Sequence, residues 1–167
     1  MRRWAWLIAV AMSGVAAARQ PAEAGLCKVT PEAAQRMLSA LRAQAHACGL
    51  ADMPAAGALQ WDERLAQSAR SYAEELARRG SLSHDGQQAR SLRERLRLAG
   101  YRMRLAGENL AAGPNTLDEA LGQWLASPAH CDNLMAADFE QMGLACAAGA
   151  APYGHYWVLH LGRSLPE

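Results

Sequence analysis

The chain has 167 residues, a near-neutral formal charge of +1 from 17 basic and 16 acidic side chains, and 51% hydrophobic residues. That is the size and composition of one globular domain with a real core. The charge balance gives no electrostatic reason to expect nucleic acid or an anionic membrane as a partner.

The first 18 residues carry Arg2 and Arg3, an apolar run from Trp4 to Val15 and the small residues Ala16-Ala17-Ala18. This is the pattern of a secretory signal peptide with cleavage after Ala18. The run is shorter than the roughly 20 residues a spanning helix needs. No later stretch is long and apolar enough to span, so the mature chain is expected without a transmembrane segment, secreted or periplasmic.

Thr30 is a good N-cap, with Pro31 at the first helical position, and Ala34, Met37, Leu38, Leu41 and Ala45 share one face, so a helix is expected over 31–47. Residues 49–57 then form a linker, and Leu59-Gln60-Trp61 a short extended run. Asp62 caps a helix over 63–79 that Gly80 stops. A polar loop at 81–87 leads to a helix over 88–99. There Arg90, Arg93, Arg95 and Arg97 alternate with leucines, and Arg102 and Arg104 follow; together they read as a solvated basic face.

Alternation at 101–105 predicts a strand that Gly107 breaks, placing Glu108 where the strand ends. Thr116 caps a helix over 117–126. Ser127-Pro128 opens a shorter one to about Met135, with His130 in its first turn. Strands are expected at 141–148 and 156–161. Helices followed by strands in hairpin order indicate an α+β fold with an antiparallel sheet. Trp61, Trp124 and Trp157 are assigned to the core.

Cys27, Cys48, Cys131 and Cys146 all follow the leader, an even count that suggests two disulfides among three connectivities. Cys27–Cys48 with Cys131–Cys146 is preferred, because each closes a short loop worth roughly 3 kcal/mol in the chain-entropy model.

The chemistry-bearing residues are few. His84 lies in a Ser-His-Asp turn, Glu108 beside Asn109, and His130 at a helix start, where the dipole disfavours imidazolium. A His–Glu–His cluster can hold a divalent metal such as zinc or can fasten a loop through hydrogen bonds; the second is preferred. Asn109 and Asn133 are expected to bond loop backbone. Ser83 beside His84 is no nucleophile–base pair, since no G-x-S-x-G elbow exists.

Leu59-Gln60-Trp61-Asp62, Ser83-His84, Gly107-Glu108-Asn109, Trp124, Ser127-Pro128-Ala129-His130, Asn133-Leu134-Met135, Gly143 and Tyr156-Trp157 come in one order over about 100 residues. The chain from about Leu59 to Gly162 thereby resembles the CAP superfamily, or SCP domain, of cysteine-rich secretory proteins, insect venom antigens and plant pathogenesis-related proteins, most of all its bacterial secreted branch.

The resemblance implies a three-layer α-β-α sandwich with a central cleft, over 59–163, after an N-terminal extension at 19–58 with one helix. It implies two histidines and two acids in that cleft. Position by position these are His84, His130 and Glu108, with Ser127 where the second acid belongs; Asp118 and Glu119 are poor substitutes. His160 stands where polar or acidic residues are common, and either adds a third imidazole or faces solvent.

Three functions follow. The preferred one is a monomeric, non-enzymatic secreted module that binds a small ligand, a lipid or an envelope component in the cleft. The others are a divalent-metal-dependent, peptidase-like hydrolase using His84, His130 and Glu108, and a structural envelope protein. No cofactor is assigned; zinc or another divalent cation is the candidate.

Overall fold

A computed structural model describes residues 27–166; the expected leader lies outside them. In chain order the elements are α1 (Pro31–Arg42), β1 (His46–Cys48), β2 (Ala51–Met53), β3 (Gln60–Trp61), α2 (Glu63–Arg79), α3 (Leu92–Leu98), β4 (Met103–Ala112), α4 (Leu117–Leu125), α5 (Pro128–Met135), β5 (Gln141–Ala148) and β6 (His155–Ser164).

The main sheet has the order β3-β5-β6-β4. β5–β6 and β6–β4 are antiparallel, while β3 joins β5 in parallel over two residues only. Helices cover both faces. Trp157, Leu159 and Leu161 point from β6 into a core with Ala34 and Leu38 of α1, Trp124 of α4 and Leu134 of α5. The alternate residues Tyr156 and Val158 meet Ala69, Tyr72, Ala73 and Leu76 of α2 on the other face. This is a three-layer α-β-α sandwich around an almost wholly antiparallel sheet. Trp124 and Trp157 are fully buried, and Trp61 is half-buried against the same core.

Local chemistry accounts for most boundaries. The Thr30 hydroxyl accepts from Ala33 N–H at the start of α1. Asp62 accepts from the N–H groups of Arg64 and Leu65 at the start of α2, and Gly80, at φ 64°, ends that helix in the left-handed conformation. Gly143 is where α2 presses closest on the sheet: a methyl group there would strike the backbone of Leu65 and Ala66.

Residues 51–53 of the expected linker form β2, the last strand extends to Ser164, and three further boundaries differ more deeply from the sequence expectation. α1 ends at Arg42 rather than 47, although the residues beyond it favour helix. Tertiary contacts win: Arg42 is drawn into the core, and residues 46–53 form a hairpin whose Cys48 is bonded to Cys131. α3 starts at Leu92 rather than 88, because Ser91 caps it and the Glu94 carboxylate reaches back to Arg90 N–H. β4 runs straight through Gly107, which pairs with Leu161, so Glu108 sits inside the strand opposite His160 and not at its end.

The disulfide expectation is corrected outright. The bonds are Cys27–Cys146 and Cys48–Cys131, bridging 119 and 83 residues. Short loops do not form because β5 carries Cys146 away from α5 to the sheet margin where Cys27 lies. The 46–53 hairpin meanwhile brings Cys48 onto α5.

Candidate functional site

Because β6 lies on one side of β4, the other side of β4 is an outer edge of the sheet. The candidate residues gather around it. Glu108 and Asn109 point to opposite faces. Asn109 faces α5, where its amide donates to the His130 carbonyl and its carbonyl oxygen accepts from Asn133. Asn133 also donates to the Glu108 backbone carbonyl. Both asparagines thus bond the backbone that carries the histidine and the glutamate.

Glu108 faces α2 and α3 and is buried, its side chain 4% exposed. Oε1 accepts from His84 Nδ1 at 2.7 Å. Oε2 accepts from Arg95 Nη2 at 2.7 Å and from His160 Nε2 at 2.9 Å. Burial pushes the carboxyl up, but the hydrogen bonds from His160 and His84 and the charge on Arg95 outweigh it and hold the pKa down to about 2. His160 is completely buried, which pulls its imidazole below the ordinary value against the attraction of Glu108. Facing a carboxylate, it serves as a neutral ring donating from Nε2. His84 is 62% exposed, and its hydrogen bond to Glu108 raises its pKa.

Arg95 is the member of the site that sequence reasoning misses. The arginine run reads as a solvated face, yet the Arg95 side chain is 6% exposed. Its guanidinium carbon lies 3.6 Å over the Tyr72 ring, and Nη1 and Nη2 also donate to the Ala89 and His84 carbonyls. The Tyr72 hydroxyl donates to the Ser83 carbonyl, so the loop carrying His84 is held from two sides. A signal exists: Arg95 falls three residues after Leu92 and four before Ala99, inside the apolar stripe of α3. His160 joins the cluster and does not face solvent.

His130 is half-buried, and burial, then the nearby charge of His84, lower its pKa. Its side chain makes no hydrogen bond to Glu108. Ser127 occupies the N-cap position of α5, half-buried, without a side-chain capping bond.

These residues do not fit a metal. Both Glu108 oxygens already accept from donors, and a guanidinium sits beside one of them. Among the described residues no group of three His, Cys, Asp or Glu side chains is arranged to hold an ion.

An α-β-α sandwich of this topology is the fold of the SCP-domain proteins. Residues 35–161 match the model of the cysteine-rich secretory protein family, CAP, and the chain belongs to that family. The uncharacterized protein YkwD of Bacillus subtilis is 28% identical over 100 residues, which cover 60% of this chain and 37% of that protein. The chain therefore spans well under half of that relative.

Among solved structures, an extracellular SCP-domain protein of Bacillus anthracis matches with a TM-score of 0.60 at 22% identity, over 82% of this chain and 45% of the other. An outer surface protein of Borrelia burgdorferi matches with a TM-score of 0.61 at 21% identity, over 84% of this chain and 99% of the other. At these identities the likeness is one of fold.

Proposed function

We propose that this chain is an exported, non-enzymatic module that binds a small ligand with hydrogen-bond acceptors at the outer margin of β4, through His84 and His130. The engagement of Glu108 by three donors carries this reading. A carboxylate that already accepts from His84, Arg95 and His160, and whose pKa those partners hold down to about 2, keeps one of its roughly four acceptor sites and is a poor general base and a poor metal ligand. What remains outward is Nε2 of His84, a donor when the raised-pKa ring is protonated and an acceptor when it is neutral because Nδ1–H is committed, and the half-buried, neutral His130. Paired imidazoles of this kind suit hydroxyl and carboxylate groups.

Export is supported by the two disulfides, which persist in oxidising compartments. No helix among the described residues is long and apolar enough to cross a membrane. The hydrolase reading loses ground for the reason that favours binding.

The test is titration of the ring signals of His84 and His130 by NMR with acetate, succinate and N-acetylglucosamine, beside calorimetry with zinc. At least one organic probe should shift both rings, His84→Ala should abolish the response, and zinc should bind weakly and without fixed stoichiometry. Tight one-to-one zinc binding, lost in His84→Ala with His130→Ala, would overturn the proposal and promote the hydrolase. Silence from every organic probe would favour a structural role.

A further inference from the structure

The two edges of the main sheet are finished differently. On β4 the outward carbonyls of Glu108 and Leu110 are plugged by Asn133 and by the Trp124 indole N–H. On β5 the strand partner stops early. Gln60 N–H donates to the Glu140 carbonyl and Asp62 N–H to the Met142 carbonyl, and there the chain turns into α2.

Because Met142 turns its backbone groups to this side, so do Leu144, Cys146 and Ala148, while the residues between them bond β6. None of the three outward N–H groups or three outward carbonyls has a partner among the described residues. They open onto a groove of about 570 Å³. Arg70 and Glu74 of α2 form one wall, residues 27–31 the other, and Trp61 closes the end where β3 stops. Leu144 is buried and Ala148 exposed, so the edge opens progressively toward Ala148.

We propose that this groove takes an extended peptide segment of a partner protein as an added strand in line with β3. A row of alternating donors and acceptors at strand spacing is complementary to extended peptide backbone and to little else, and exposed edges are recurrent sites of strand addition. The short β3 already shows that this edge accepts a strand. The edge is recessed between two walls, so flat pairing of two copies of the sheet would drive the rims of the groove into each other. One narrow strand fits between them. Lys28 on one wall and Arg70 and Glu74 on the other give the groove charges of both signs with a slight positive excess, which selects a peptide of mixed, neutral or mildly acidic character.

The experiment uses the exported, disulfide-bonded protein and three octapeptides that alternate valine with threonine and end in serine, lysine or aspartate. Amide hydrogen exchange is followed by NMR. Binding by at least one peptide should slow exchange at Leu144, Cys146 and Ala148 about tenfold or more, and leave Gly143, Ala145 and Ala147 unchanged because β6 already protects them. The same peptide N-methylated at alternate residues should lose that protection. Ala148→Pro removes one outward N–H without touching the inner ladder and should weaken binding about tenfold.

Failure of all three peptides, or equal binding of the N-methylated one, would overturn the proposal. So would protection of the three amides that grows with protein concentration alone, since the edge would then pair with a second copy.

Discussion

Glu108 is a buried anion with three donors on two oxygens, and its removal leaves Arg95 as a buried cation with two carbonyls and the Tyr72 ring but no carboxylate partner among the described residues. Breaking a buried ion pair from one side costs about 3–5 kcal/mol, because the partner is stranded. Glu108→Gln should therefore lose about that much in urea unfolding, with the loop that carries His84 loosening first. His84→Gln, which removes the exposed donor, should cost far less. Equal losses for the two variants would mean that the exposed contact carries the cluster. The pair His84 and Glu108 is legible in the sequence, because an imidazole in a polar turn and a carboxylate beside an amide stand out there, although Glu108 lies inside β4 and not at its end. Arg95 is obscured by five other arginines in the same stretch, and separating it from them requires knowing which side of α3 meets Tyr72.

At the scale of elements, Arg42 joins α1 to the end of α5. It is fully buried, and it donates to the carbonyls of Gly57, Leu134, Ala136 and Phe139. It has no carboxylate partner among the described residues. The guanidinium meets the negative end of the helix that carries His130, so the orientation of that helix depends on it. Arg42→Met keeps the apolar stem but leaves four acceptors to find water or go without, each stranded group costing about 1–3 kcal/mol. The expected outcome is a loss of at least about 3 kcal/mol in denaturant melts, with His130 ring signals broadened by NMR. A change below about 1 kcal/mol would show that α5 is held by its apolar face alone.

Helix starts at Thr30, Asp62, Thr116 and Ser127 are legible because a cap is written in one or two adjacent residues. The end of α1 is not, because it is decided by Arg42 and Cys48 meeting α5, far along the chain. The same distance hides the disulfides: proximity in sequence favours the short loops, while the sheet brings the distant cysteines together.

Over the whole molecule those two long bridges matter more than short ones would. In the chain-entropy model, closing loops of 119 and 83 residues removes about 4–5 kcal/mol of unfolded-state entropy each. Cys48→Ser with Cys131→Ser should lower stability by about 2–5 kcal/mol and free the hairpin 46–53. Peptide mapping without reductant should join Cys27 to Cys146 and Cys48 to Cys131.

The pH response of the folded chain follows from the four groups of the site together with Asp62, whose pKa burial raises but bonds from Arg64 and Leu65 hold below the ordinary carboxylate value, and their signs differ. His84 has a raised pKa, so its contribution is complete below the ordinary value near 6.5 and is lost as pH rises through its folded value. His160 and His130 are depressed, so the unfolded chain takes up protons first and stability falls as pH drops below about 6.5. Glu108 is depressed to about 2, so its contribution is complete above about 4.5 and is lost on descending toward 2, on the order of 3 kcal/mol for a carboxylate this buried. Stability should thus peak near neutrality, ease down on the alkaline side, decline below pH 6.5 and drop steeply below 4.5. Urea midpoints measured from about pH 3 to 9 check this. His84→Gln should flatten the alkaline limb and His160→Gln the decline that begins below about 6.5, whereas Glu108→Gln should remove most of the acid limb, leaving the part due to Asp62, while lowering the whole curve. A parent protein that grew more stable from about pH 6 down to 4 would contradict a neutral His160 donating to an ionised Glu108, and with it the electrostatic picture of the cluster.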